Sequence, residues 1–340
     1  MVEKTLVIYS YYEKNDEYIK NFEFFLKNAI YHDIDYIFCI NGKKFSLTIP
    51  DSPNIKVLPR DNHDYDFGAY AEALNTVDIN LYDYFFFINT SVRGPFLPED
   101  IRSTTRWTTP FIKLLVGDVK LVGTTINILN ITDPATQKDM ALDLLIDKGY
   151  KPPFTHVQSQ VFLLGREGLD FLIKNDFFKQ SAEIEFVKFI VLREVMLSQL
   201  IIKHGWNINC LLPKYQGLDY RTITADINPT SVNGDPYYIN SYFGSNIRPY
   251  DVVFIKTNRN VSTDEITQLT NNYFTDSTHP TNYIETFEGG DAIDNNIDTE
   301  KYIQKVLLWT FILILITGII KLIHTLFKKT KLVSKRSRKK

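Results

Sequence analysis

Residues 5–40 read TLVIYSYYEKNDEYIKNFEFFLKNAIYHDIDYIFCI, and their pattern decides the fold class. Thr5 to Tyr9 (TLVIY) is an apolar run of strand length. Behind it Tyr18, Phe22, Phe25, Leu26 and Ala29 recur at the three- and four-residue spacing that lines one face of a helix. Tyr36 to Ile40 (YIFCI) is a second apolar strand, closed by the turn pair Asn41-Gly42. The alternation continues with a strand at Ile55 to Leu58, a helix at Phe67 to Leu74 and a fully buried strand at Tyr84 to Ile88 (YFFFI). Val119 to Thr124 and Val157 to Leu164 read as further strands, and Glu183 to Lys203 as a long helical stretch. Apolar strands alternating with helices predict an α/β fold: an open, mostly parallel sheet with helices on both faces. Such sheets bind ligands outside the carboxyl ends of their strands, so the segments just after those ends are the ones to search.

The composition suits a large folded domain. Of 340 residues, 44% are hydrophobic and 23% charged, which is enough apolar material for a sizeable core. A formal net charge of −2 hides an uneven distribution, because eight of the residues from Lys328 to Lys340 are Lys or Arg. That basic tail directly follows an apolar run, which favours a membrane surface over nucleic acid as its partner. Cys39 and Cys210 each lie inside an apolar stretch and make neither a disulfide framework nor a zinc site.

Val306 to Ile320 carries no charge, and the run extends to Phe327 if Lys321 and His324 are included. At about 1.5 Å per residue, 22 helical residues reach about 33 Å, enough for a hydrocarbon core of about 30 Å. The expected organisation is a folded domain over 1–270, an acidic polar linker over 271–304, a single transmembrane helix over 305–327 and a basic tail over 328–340. The positive-inside rule puts the tail in the cytosol and the domain across the membrane, whereas a start without a signal-peptide pattern keeps the domain cytosolic. A tail-anchored protein with a cytosolic domain is the expectation adopted.

Two loops carry the chemistry. PRDNHDYDFGAY (59–70) follows the third strand and NTSVRGPFLP (89–98) follows the fourth. Both place polar groups and glycine at the expected ligand edge. Gly68 is expected to let a ligand approach a helix start whose free N–H groups suit a diphosphate, with Arg60 and Arg93 neutralising its charge. No Gly-x-Gly-x-x-Gly follows the first strand, where Tyr9-Ser10-Tyr11-Tyr12 stands, which argues against a dinucleotide-dependent oxidoreductase.

Together with VKLVGTTIN (119–127), HVQS (156–159), YQG (215–217), DYR (219–221) and PYDVVFIKTNR (249–259), these motifs resemble GT-A-fold glycosyltransferases of algae and large DNA viruses over about residues 5 to 260. The resemblance implies a Rossmann-like GT-A fold and transfer of a sugar from a nucleotide-diphosphate sugar to a hydroxyl of a glycan or glycoprotein. It implies a donor site of Tyr9, Arg60, Asn62, Asp64, Asp66, Gly68, Asn89, Arg93 and Gly94, and an acceptor site of His156, Ser159, Tyr215 and Arg221. At the end of the fourth strand the family usually carries an Asp-x-Asp that holds a divalent metal, manganese or magnesium. Here that position reads Asn89-Thr90-Ser91, and a neutral amide is a poor ligand for a hard cation. Three outcomes stay open: Asp64 and Asp66 hold the metal, cations such as Arg93 replace it, or catalysis is lost and a sugar-nucleotide- or glycan-binding protein remains.

REVMLS (193–198), followed by HGWNI (204–208), resembles the family's acidic motif, a carboxylate on a helix before a Gly-aromatic turn and a strand. Glu194 is the expected catalytic base, because the acceptor hydroxyl must lose its proton as it attacks the anomeric carbon. The apolar run is confined to the far end, so a chain ending at about residue 290 is expected to stay soluble without detergent. Aggregation of that shorter chain, cured only by restoring residues 305–327, would assign the apolar run to the core.

Overall fold

A computed structural model describes residues 3–179 and 185–275. The strands are β1 (Thr5–Tyr12), β2 (Ile34–Asn41), β3 (Ile55–Arg60), β4 (Tyr84–Asn89), β5 (Val92–Arg93), β6 (Val119–Gly123), β7 (Ile126–Leu129), β8 (Phe154–Val157), β9 (Val161–Gly165), β10 (Asn207–Cys210) and β11 (Ile255–Lys256). Seven of them form the central sheet in the order β10-β6-β9-β4-β1-β2-β3. Its neighbours run parallel except at β9, which is antiparallel to both β4 and β6. The α/β class and the mostly parallel sheet are as expected.

Helices cover both faces because the strands offer apolar side chains to both. Along β4, Phe86 and Ile88 join one core while Phe85 and Phe87 join the other, the two-residue alternation of a strand. Helix α1 (Asp16–Asn28) covers the first face with Phe22, Phe25 and Leu26, and Ala29 follows at its end. Asn15 caps it, its Oδ1 accepting from the Tyr18 N–H at 3.1 Å, with Asp16 and Glu17 in the first turn. Trp107 closes this face, fully buried between Phe25, Phe86 and Phe254, and its indole N–H donates to the Ala29 carbonyl at 3.0 Å. Helix α2 (Tyr65–Leu74) and the segments Arg166–Lys174, Phe186–Ile190 and Met196–Lys203 cover the opposite face.

Several boundaries differ from the sequence reading. The strand expected over Val157 to Leu164 is two strands: β8 pairs with β7 outside the central sheet, and β9 joins it between β4 and β6. The break at Gln158–Gln160 is buried but polar, with Thr125 Oγ1 donating to Gln158 Oε1 at 2.7 Å and Gln160 Nε2 donating to Thr124 Oγ1 at 2.7 Å. Apolar content alone could not reveal such a break. The long helix expected from Glu183 is described from Phe186, and Val191–Val195 within it is a π-helical turn. Helix Thr263–Thr275 runs across the expected domain boundary at 270. The expected transmembrane helix and basic tail lie outside the described residues, as does the linker after residue 275. Among the described residues no helix is long and apolar enough to cross a membrane.

Gly68 has a different use from the one expected. A Cβ there would meet the His63 carbonyl at 2.3 Å, Asp64 Cβ at 2.7 Å and Arg60 Nη2 at 2.9 Å, so its own loop fills the space assigned to a ligand. The missing side chain lets the start of α2 close against residues 60–64. Gly68→Ala is therefore expected to cost about 1–3 kcal/mol by overpacking. Urea denaturation measures it; an unchanged midpoint would mean that this loop is free to move.

Candidate active site

The carboxyl edge of β4 is where the chemistry gathers. Asn89 ends the strand, and its backbone N–H donates to the Gln160 carbonyl at 3.0 Å, fixing it to the entry of β9. Both ends of its amide are engaged: Nδ2 donates to Asp66 Oδ2 at 2.9 Å, while Oδ1 accepts from the Ser91 N–H at 3.1 Å and the Ser91 hydroxyl at 2.6 Å. Asp66 stands in the first turn of α2. Burial pushes its carboxyl up to about 6, the Asn89 amide opposes that rise, and the charge of Glu194 adds to it.

Glu194 lies in the π-helical turn, a distortion frequent at functional sites. Its Oε2 accepts two hydrogen bonds from Ser159, from the backbone N–H at 2.8 Å and from the hydroxyl at 2.5 Å. Its Oε1 faces His156 Nε2 at 3.8 Å, and the side chain keeps 21% exposure. Burial favours the neutral acid, yet Lys256, His156 and the Ser159 hydrogen bonds outweigh it and hold Glu194 below the ordinary carboxylate value. His156 Nδ1 donates to the Phe154 carbonyl at 2.8 Å, which orients the ring so that Nε2 faces Glu194. Asp66 thus bears the charge of Glu194, and the two carboxyls are pushed in opposite directions.

Of the expected residues, Asp66, Asn89, His156, Ser159 and Glu194 come together. The others stand elsewhere. Arg60 donates to Asn41 Oδ1 and the His63 carbonyl and pairs with Glu72 at 2.9 Å, tying β3 to β2 and α2. Arg93 donates to Asn21 at 3.0 Å, Glu17 at 2.7 Å and Thr270 at 3.3 Å, so it turns to the α1 face while Asp66 belongs to the α2 face. The single pocket expected to hold both is not formed. Asp64 is buried at the cap of α2 and interacts with Arg193 rather than with a shared metal position. Tyr9 is buried among Phe22, Phe25 and Phe38, and Gly94 is closed off by Phe254 and the Val253 carbonyl, each 2.5 Å from where a Cβ would stand. Asn62 is exposed on the loop. Tyr215 is fully buried, and its hydroxyl accepts from Asn228 at 3.1 Å. Arg221 pairs with Asp118 at 2.5 Å and donates to the Gly205 carbonyl at 2.8 Å, both just ahead of β6 and β10, and therefore lies at the opposite edge of the sheet.

Lys256 and Asp235 stayed outside the candidate set. By sequence Lys256, like Arg259, follows the last strand and reads equally as a phosphate ligand or a surface charge, because the pairing of β11 with β5, which puts Lys256 opposite Val92, cannot be read from spacing. A cavity of about 610 Å³ lined by Ala71, Leu74, Val77, Ile173 and Phe178 lies toward the other end of α2 and shares no residue with this site. The edge chemistry, not this cavity, marks the candidate site.

The donor set does not fit a divalent cation. Asn89 presents an N–H donor to Asp66, and its oxygen already accepts two hydrogen bonds. Among the described residues there is no group of three or more His, Cys, Asp or Glu placed to hold a metal ion. Hard cations require several oxygen ligands, so this wall does not build such a site.

No protein family profile and no curated protein matches the chain. Several similar solved structures are glycosyltransferases. One, involved in glycosylation of the major capsid of PBCV-1, is 10% identical, with 78% of this chain and 98% of that chain covered and a TM-score of 0.34. The galactosyltransferase LgtC, solved with donor and acceptor sugar analogs, is 10% identical over 82% of this chain and 98% of its own, with a TM-score of 0.35. Mouse xyloside xylosyltransferase 1 is 10% identical over 59% and 82%, with a TM-score of 0.31. At such identities and scores, function has to be argued from the site.

Asp66 gives a pH test. Its carboxyl stands at about 6 when folded against an ordinary 3.8, so between those values the folded state keeps a proton that the unfolded chain has released. Stability contributed by that proton falls as pH rises through the window. Asp66→Asn removes the step, so its stability relative to the unsubstituted chain should rise between about pH 4 and pH 7. The expected gain is on the order of 1–2 kcal/mol, allowing for solvent screening. Urea midpoints at the two pH values check it; a pH-independent difference would show that Asp66 titrates normally.

Proposed function

We propose that this chain is a glycosyltransferase, moving a sugar from a nucleotide-diphosphate sugar to a hydroxyl of a glycan or glycoprotein, with Glu194 as the proton acceptor. The observation that carries the reading is the pair of carboxylates at the sheet's ligand edge, Glu194 held low and Asp66 raised. Environments that split two neighbouring carboxyls mark acid–base sites. In the proposed step the acceptor oxygen bonds to the anomeric carbon as the carbon–oxygen bond to the diphosphate breaks. The electron pair leaves with the nucleoside diphosphate, and the hydroxyl proton passes to Glu194 Oε1, the oxygen not occupied by Ser159. His156 borders that oxygen and orients the incoming hydroxyl.

Exposed aromatic rings support a sugar ligand. Tyr65, next to Asp66 in the chain, is 40% exposed, and Phe186 is 55% exposed with its ring centroid 5.4 Å from that of Tyr65. Such faces suit the apolar side of a pyranose. The apolar run 306–320 and the basic residues after it support work at a membrane surface, with the folded domain on the cytosolic side. Asn89 in place of a carboxylate favours a second reading, a protein that binds a sugar nucleotide or a glycan without turning it over.

Glu194→Gln separates these readings. With a panel of nucleotide sugars, turnover is expected to fall by about 10²- to 10⁴-fold while donor affinity changes by less than about twofold. An unchanged rate removes Glu194 from the mechanism. Donor binding with no hydrolysis or transfer by the unsubstituted chain selects the binding-only reading.

A further inference from the structure

Lys256 is the group at this edge for which the fold supplies no direct partner. Strand β11 brings it beside β5 in antiparallel register, and the Thr257 N–H donates to the Ser91 carbonyl at 3.1 Å, so the segment is stitched to the residues that follow β4. The ammonium lies 5.7 Å from the centroid of the Tyr237 ring. The charges of Glu194, Asp235, Arg259 and Asp66 act on it, Glu194 most strongly. Yet among the described residues its Nζ makes no ion pair and no hydrogen bond. Arg60 and Arg93, by contrast, have direct partners: Arg60 in Asn41, His63 and Glu72, and Arg93 in Glu17, Asn21 and Thr270. A half-buried ammonium with three unused N–H donors is costly unless something accepts from them. Tyr237 Oη lies buried beside this segment, within reach of the Lys256 backbone and of the Thr124 and Gln160 side chains.

We infer that Lys256 binds the diphosphate of the donor directly and takes the place of a bridging divalent cation, so that donor binding does not depend on metal. The inference rests on the transferase reading above. An anion at this edge needs positive charge, and the expected suppliers are committed elsewhere: Arg60 to the loop before α2, Arg93 to α1. The Asn89–Asp66 pair does not build a cation site, since its facing group is an amide N–H. Lys256 stands next to the same strand end, on the same side as Asp66 and Glu194, and a lysine ammonium is a common phosphate ligand in its own right. In the transfer step its charge would meet the electron pair that departs with the diphosphate, the task a metal performs in other nucleotide sites.

The test uses the full chain in mild detergent, with uridine diphosphate, guanosine diphosphate and inorganic pyrophosphate as probes and calorimetry as readout. With EDTA present, at least one probe is expected to bind, and manganese should change its affinity by less than about threefold. Lys256→Met should weaken binding by at least about tenfold and Lys256→Arg by clearly less, because the arginine restores the charge. Thermal melting of each variant in the same buffer reports its folding. If Lys256→Met does not fold, the Lys256→Arg affinity and the manganese dependence of the unsubstituted chain decide. Binding that requires manganese, or that survives Lys256→Met unchanged, overturns the inference and leaves the transferase reading intact. No binding of any probe or of any nucleotide sugar, with or without manganese, overturns both.

Discussion

Glu194 accepts the backbone and hydroxyl protons of Ser159, and much of the site's geometry depends on this latch. Ser159 lies in the break between β8 and β9, and β9 can reach the carboxyl edge of β4 only because it enters the sheet antiparallel. The helical segment beyond Glu194 grips the same stretch twice more: Ser198 Oγ accepts from the Val157 N–H at 2.9 Å, and Gln199 Nε2 donates to the Thr155 carbonyl at 2.7 Å. Three contacts two residues apart on the strand side are thus met by three side chains from one helix. A charge-assisted bond from a backbone N–H to a carboxylate is roughly twice as strong as a neutral one. Loss of it would release both the π-helical turn and the entry of β9.

The same economy explains why two of the most tempting cations are not ligands. Arg60 and Arg93 are buried to 9% and 5% exposure, and a guanidinium that far from water must have its N–H groups met by the protein. Each sits where three elements converge, Arg60 on β2, β3 and α2, Arg93 on β5, α1 and the helix Thr263–Thr275. They hold up the platform under the site. Removing either would leave carboxylates and amides unpaired inside the domain, a structural injury easily mistaken for a binding defect.

The strand and helix sequence of the first half was legible because it obeys simple periodicity. Apolar runs such as YFFFI carry no polar alternation, and the structure duly buries them on both faces. What failed to show was everything set by pairing across distance. Nothing in residues 157–164 distinguishes one strand from two, because the interrupting glutamines find their hydrogen-bond partners in Thr124 and Thr125, far off in sequence. The reversed direction of β9 is likewise a property of the sheet. In the site, Asp66, Asn89, His156, Ser159 and Glu194 were recoverable from motifs, since each follows a strand or lies on the helix facing it. Tyr9 and Tyr215 were not separable from ligand residues, for an aromatic at a strand end reads the same whether it meets a nucleotide or three phenylalanines. Arg221 fell to topology: it follows β10 in sequence, but its loop doubles back to the starting edge of β6.

The two carboxylates show how one wall is divided into unlike groups. Asp66 and Glu194 are both half-buried, and burial raises both. What separates them is the chemistry of their partners. Glu194 has an ammonium, an imidazole and two hydrogen-bond donors from Ser159, enough to reverse the effect of burial. Asp66 has the Asn89 amide and the N–H of Phe67, both neutral, and it also bears the field of its ionised neighbour. A carboxylate in place of Asn89 would add a third negative charge to this corner and would need a compensating cation. With an amide there, the corner is balanced by side chains of the chain itself, the ammonium of Lys256 and the ionised Glu194 acting on one another.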